Sequence, residues 1–219
     1  MQSSSKRLAK FSKRYLIWNE VLNAITHGIG VLLSIIGLVL LLTKSLETAG
    51  KTDTVSYLVY GISLILLYLS STLYHSFSFT KAKNFLRRLD HSCIFLLIAG
   101  TYTPYALLAI GGRTGWLLIA LVWAIALFGV IYKTVWFTKL QGISVWIYIA
   151  MGWIAIFFMR PLYQGLGFEG ILWLVAGGLS FTVGALFYRL KTVRFMHVVW
   201  HLFVLAGTAC MFISIYFYI

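Results

Sequence analysis

Acidic residues are nearly missing: five Asp and Glu stand against eighteen Lys and Arg in 219 residues, and charged residues make up only 11% of the chain. A soluble domain carries about a quarter charged residues, so the composition excludes one. Cysteine is scarce as well. Cys93 and Cys210 fall in separate apolar runs, which excludes a disulfide framework and leaves two buried thiols as the expectation. No internal repeat is visible, so an inverted-repeat transporter gains no support. Polar stretches long enough for a second folded domain are absent too. What is abundant is apolar: 61% of residues are hydrophobic and the mean hydropathy is +0.91. Nearly all of that surface must face lipid or another helix. The positive balance then reads as a set of membrane-orientation signals, with no nucleic-acid partner implied.

Seven apolar runs stand out, at approximately Val21 to Thr43, Val55 to Phe79, Cys93 to Ile110, Trp116 to Tyr132, Ile143 to Phe158, Phe168 to Tyr188 and His197 to Ile219. Each approaches the roughly 20 residues that cross a bilayer as a helix. With the amino terminus inside, fourteen of the eighteen Lys and Arg lie in cytoplasmic segments, and only Lys44, Lys51, Arg113 and Arg160 lie opposite. Short basic loops stay in the cytoplasm, which sets the orientation. The expected fold is therefore an all-α membrane protein, a seven-transmembrane helix bundle with a cytoplasmic N-terminus and the C-terminus outside. Residues 1–20 form a basic cytoplasmic segment and residues 21–219 the transmembrane domain. Leu8, Phe11, Tyr15 and Trp18 recur at helical spacing among basic residues, which suits either an interfacial helix on the anionic inner leaflet or a loose basic tail. The long first run without a small-residue cleavage site reads as a retained helix rather than a signal peptide.

Polar side chains at membrane depth are costly, so each one is a candidate for function or specific packing. Ser71 and His75 share a face of the second run near its inner end, Asp90 and His91 begin the third, and His197 and His201 share a face at the start of the seventh. Granted the topology, all lie at one depth near the inner leaflet. Two imidazoles four residues apart on a helix point the same way, as zinc-binding helices require, although His197-Val-Val-Trp-His201 lacks the glutamate of the HExxH motif. A third imidazole, His75, completes the three-ligand pattern of catalytic zinc. In that arrangement Asp90 serves as general base toward a water at the open position, and Ser71 hydrogen-bonds an imidazole, Asp90 or a substrate oxygen. The alternative is that these are separate interfacial residues, with Asp90 paired to Arg87 or Arg88. A second stripe, Glu20, Asn23, His27, Gly30 and Ser34, runs along the first helix. It offers either further ligands or, as the favoured reading, a helix-packing face. His91 is turned about 100° from Asp90 and is expected at the rim of the site. Pro104, in Gly100-Thr-Tyr-Thr-Pro104, is expected to free the Gly100 carbonyl and bend the third helix, as a structural kink or as the opening of a lipid cavity.

Taken together, Asn23-Ala-Ile-Thr-His27-Gly-Ile-Gly30, Ser71-Ser-Thr-Leu-Tyr-His75, Arg88-Leu-Asp90-His91, Gly100-Thr-Tyr-Thr-Pro104 and His197-Val-Val-Trp-His201 resemble the bacterial hemolysin III group of the progestin and adipoQ receptor superfamily. The resemblance spans the chain from first helix to last in order, spacing and helix assignment. It implies a seven-helix bundle of the bacterial inner membrane with a zinc ion near the cytoplasmic face. Ser71 and His75 answer to the family's Ser-x-x-x-His motif, Asp90 to its third-helix aspartate, and His197 with His201 to its His-x-x-x-His motif. Relatives are similar to alkaline ceramidases, so the resemblance also implies hydrolysis of a lipid amide or ester and a part in membrane-lipid homeostasis.

Three functional classes compete. A zinc-dependent lipid hydrolase, with a membrane lipid or fatty acyl chain as substrate or ligand, accounts for the His, Asp and Ser set. A non-catalytic lipid or membrane-state sensor with a structural zinc needs the same histidines and a closed fourth position. A proton pathway needs acids stepping across the bilayer, and no such ladder exists here. The seventh run also holds no lysine for a retinal Schiff base, and no residue pattern supports the pore formation that the hemolysin name suggests.

Overall fold

A computed structural model of the chain describes residues 11–48, 50–135, 144–190 and 192–219. Regular structure among them is entirely helical: α1 (Lys13–Thr48), α2 (Lys51–Ser76), α3 (Lys83–Pro104), α4 (Gly112–Val135), α5 (Ser144–Gly152), α6 (Met159–Arg189) and α7 (Met196–Tyr218). Six helical stretches among the described residues are long and apolar enough to cross a membrane. Large aliphatic side chains cover the outside, with Leu32 64%, Leu33 57% and Ile36 57% exposed. A surface of that kind is stable against lipid rather than water.

The number six differs from the seven runs expected because the fifth and sixth runs fall in one helical stretch of 46 residues, Ser144–Arg189. No polar loop interrupts it. Within α6 the break is at Gly167, whose φ of 66° and ψ of −176° lie outside helical space, in a region only glycine enters freely. The chain doubles back there. Trp153 Nε1 donates to Thr182 Oγ1 at 3.0 Å although the two are 29 residues apart, a separation of about 44 Å along a straight helix.

Local chemistry sets the other boundaries. Ser12 Oγ accepts from the Tyr15 N–H at 3.2 Å and caps α1. That helix then runs unbroken past Trp18 to Thr48, and residues 1–10, with the Leu8 of the expected interfacial helix, lie outside the described residues. A tight turn stapled by Thr80, whose hydroxyl donates to Phe77 O and accepts from Ala82 N, makes α2 and α3 antiparallel neighbours. After Pro104 the helix widens into a π-helical segment, Tyr105–Ile110, the form helices adopt when one i to i−4 bond cannot close. Thr101 and Thr103 bond back to Leu97 O and Ala99 O in the preceding turns.

Helix α1 is the hinge of the packing, since it lies against both α2 and α7. Gly30 makes the close approach to α2: a Cβ there would meet the Tyr68 ring at 2.5 Å, and the Tyr68 hydroxyl is in turn fixed to Thr208 Oγ1 on α7 at 2.6 Å. At the other end of the bundle Lys44 Nζ donates to Tyr216 O at 2.6 Å, joining α1 to the last turn of α7, where a cation is favoured by the carbonyl-rich terminus.

Two neighbouring glycines should therefore respond with opposite sign. Gly30→Ala forces the Tyr68 ring aside and is expected to cost about 1–3 kcal/mol. Gly28→Ala meets only Thr72 Cγ2 at 3.9 Å and is expected to be neutral or to stabilise by about 0.5–1 kcal/mol through helix propensity. Thermal unfolding in detergent checks both. A Gly30→Ala protein as stable as the parent would remove the close contact from the description of this interface.

Candidate metal centre

His75 occupies the last turn of α2, His197 the first turn of α7 and His201 the next turn on the same face. Glu20 and Asp90 lie in early turns of α1 and α3, so these groups meet at one end of the bundle, as the common depth of their positions in the sequence requires. The ring centroids stand 5.0 Å apart for His75 and His197, 5.0 Å for His75 and His201, and 4.8 Å for His197 and His201. One ligand nitrogen from each ring lies within 4.8 Å of the others, the one group among the described residues able to hold a metal ion. Tetrahedral nitrogen ligands sit roughly 3.3 Å apart around zinc, a spacing that small rotations of the imidazoles reach.

The outer nitrogens are held by α1. His75 Nδ1 donates to Glu20 Oε2 at 2.7 Å, leaving its buried Nε2 with no protein partner. His201 Nδ1 donates to Asn23 O and to Thr26 Oγ1, both at 3.2 Å, while the Thr26 hydroxyl hydrogen is directed at carbonyls of its own helix. A histidine whose far nitrogen is tied to a carboxylate or carbonyl has its tautomer and ring orientation fixed for metal binding. His197 gains its register from the start of α7. Phe195 adopts a left-handed φ of 59°, its N–H donates to Tyr15 Oη at 3.0 Å, and the two rings meet edge to face. The residues present therefore fit a metal, by donor type and by the orphaned Nε2 of His75.

His197 and His201 line a cavity of about 480 Å³, and the other expected site residues, Asp90 and Ser71, line it as well. Asp90 is buried in its wall and accepts from His91 Nδ1 at 3.2 Å. Ser71, 1% exposed, lines it one turn from His75. Neither belongs to the three-imidazole group. His91 is partly exposed, and its carbonyl accepts from Tyr148 Oη at 2.9 Å. The stripe on α1 is a packing face, as expected at Gly30, and more than that. Glu20 supports His75, and His27 stacks on His201 with centroids 3.5 Å apart and planes 9° from parallel. Sequence reasoning missed Thr26 and gave Glu20 no link to His75. The available signal was the three-residue step from Asn23 to Thr26, which puts both on the face already picked out by Glu20 and His27.

Apolar side chains, among them Ile94, Leu97, Tyr105, Leu174, Phe181 and Met211, line much of the rest of the cavity. Tyr102 closes one side. Its hydroxyl donates to Gly152 O at 2.7 Å and accepts from Ala155 N at 2.8 Å, supplying partners where α5 gives way to a 3₁₀ segment, Trp153–Phe158. A pocket polar at one end and apolar at the other matches an amphiphile.

A family model described as Haemolysin-III related matches residues 15–212. The chain is 44% identical over 204 residues to "Hemolysin-3 homolog" of Bacillus subtilis (strain 168), covering 93% of this chain and 96% of that protein. It is 42% identical over 219 residues to "Hemolysin-3" of Bacillus cereus, covering 100% and 98%. A more distant likeness, 26% over 210 residues and covering 92% and 85%, is to the human "Monocyte to macrophage differentiation factor".

Because Glu20 touches the site only through His75, Glu20→Gln is expected to weaken metal affinity by about 10- to 100-fold without loss of helix content. Competition against a chromophoric chelator measures this. Undiminished affinity would mean that the Glu20 contact does not orient the ring.

Proposed function

Because this chain belongs to the Haemolysin-III related family, the hemolysin III group of the progestin and adipoQ receptor superfamily, and is a multi-pass membrane protein, we propose that it is a zinc-dependent hydrolase of a lipid amide or ester, acting at the cytoplasmic leaflet of the bacterial inner membrane in lipid homeostasis. The observation that carries the reading is the meeting of three imidazoles, two of which line a cavity together with the buried carboxylate of Asp90 and a run of apolar side chains. In this reading His75, His197 and His201 hold the ion. Bound there, zinc supplies Lewis-acid polarisation of a carbonyl and makes water a nucleophile near neutral pH.

The chain's own residues do the rest. Asp90, buried beside His91, takes the proton from the attacking water and returns it to the leaving amine or alkoxide. Its hydrogen bond from His91 steers the carboxylate in the cavity wall. Ser71 is placed to donate to the carbonyl oxygen of the lipid. Ile94, Leu97 and Tyr105 take the acyl chain and keep bulk water from the reacting bond, which strengthens every polar contact there. Three neutral imidazole donors are a ligand set that suits zinc, as they do other first-row metals.

In the same reading the chain crosses the membrane seven times with its amino terminus in the cytoplasm. The reversal at Gly167 supports two crossings within Ser144–Arg189, and the concentration of Lys and Arg at the imidazole end supports the orientation.

Purified protein is expected to hold about one zinc per chain, and His75→Ala and His201→Ala to lose most of it, read by elemental analysis. Asp90→Asn should keep the metal and lose hydrolysis of ceramide-like or acylated lipids by roughly 100-fold or more. Full turnover by Asp90→Asn would move the base elsewhere. A periplasm-active reporter fused after Ile219 is expected to be active, and activity of a cytoplasmic reporter there instead would contradict seven crossings.

A further inference from the structure

The cavity has a graded wall. Arg87, Asp90, Ile94, Leu97, Thr101 and Tyr105 line it along one face of the helical stretch that begins with α3, at the spacings of three and four that keep side chains on one face. Arg87 lies about 4.5 Å along the axis from Asp90, and the stripe from Ile94 to Tyr105 runs on for roughly 16 Å. The order along this wall is cation, reaction level, apolar depth.

Lys133 lies at the same end. It stands in the last turn of α4, is 1% exposed, and lines the cavity together with Arg87. A lysine that deep is unusual among buried residues. Carboxylates are few here. Of the five acids, Glu47, Asp53 and Glu169 belong to the far end, where Glu169 accepts from Tyr218 Oη, while Glu20 and Asp90 each accept from a histidine. Among the charged side chains that line the cavity, the cations Arg87 and Lys133 accompany the single carboxylate of Asp90. A guanidinium carries five donors in a fork and an ammonium three, so both can add an anion to the contacts they already make.

We infer that the cavity selects acyl lipids bearing a negative group, phosphate or carboxylate, about one helical turn from the acyl carbonyl. Arg87 and Lys133 take the anion, the apolar stripe takes the chain, and the carbonyl comes to rest at the level of Asp90 and the imidazoles. This inference rests on the proposed function and names its substrate class.

The test uses the full zinc-loaded chain in neutral detergent, with binding followed by the fluorescence of Trp153 and Trp200, which line the cavity. Two matched pairs of probes separate charge from shape: N-palmitoylglycine against N-palmitoylglycinamide, and 1-palmitoylglycerol 3-phosphate against 1-palmitoylglycerol. The anionic member of at least one pair is expected to bind about tenfold tighter or more. Arg87→Gln and Lys133→Gln should each erase most of that preference while leaving neutral-probe affinity and zinc content unchanged. Lys81→Gln, an exposed charge removal outside the cavity wall, should keep the preference. A preference confined to one pair identifies the anion as carboxylate or phosphate. Equal affinity within both pairs in a zinc-loaded protein overturns the headgroup assignment and leaves the zinc centre standing. So does a preference that survives both cavity substitutions or is lost equally in Lys81→Gln. A chain that holds no zinc and binds none of the four probes overturns the proposed function, and this inference with it.

Discussion

The site depends on α1 lying beneath imidazoles that come from opposite ends of the sequence. His75 and His201 are 126 positions apart by their numbers, and α2 and α7 meet at the site through side chains while α1 packs against both. Their outer nitrogens would be unsatisfied in a low-dielectric interior, a cost of about 1–3 kcal/mol each. Glu20, the Asn23 carbonyl and Thr26 remove that cost at 2.7 and 3.2 Å, and the remaining ring nitrogens are thereby turned inward. Polar groups on α1 that would be a liability against lipid become the support of the centre. Gly30 serves the same end by letting Tyr68 approach α1 and reach Thr208 on α7.

The cavity extends this logic from a point to a line. At its polar end charged and imidazole groups crowd together, and within a few helical turns the wall becomes aliphatic and aromatic. Tyr102 lets that wall be irregular without exposing backbone, because one hydroxyl serves both Gly152 O and Ala155 N where α5 loses its regular pattern. Irregular backbone at membrane depth survives only where protein groups satisfy it. The π-helical turn after Pro104 belongs to the same arrangement, since it carries Tyr105 into the cavity lining.

Much of this was legible in the sequence because lipid imposes a strict rule on polar side chains. The rule singled out Ser71, His75, Asp90, His197 and His201, and the structure brings four of them to one cavity and sets His75 within ligand distance of His197 and His201. Family membership followed from the same residues. What could not be read was lateral: hydropathy gives depth but not which helices adjoin, so Glu20 and His27 were assigned to packing in general rather than to His75 and His201 in particular. Lys133 was counted among the loop charges that set orientation, and nothing in its neighbourhood in the sequence marks it as buried in the cavity wall. The reversal at Gly167 was expected as a gap between two apolar runs, whereas helical structure continues to either side of a single residue.

The most direct test of the centre is X-ray absorption at the zinc edge of the purified, zinc-loaded protein. Three imidazole nitrogens and one oxygen donor at about 2.0–2.1 Å are expected. A shell without imidazole scattering, or zinc spread over several weak oxygen-only sites, would contradict the convergence of His75, His197 and His201 on one ion.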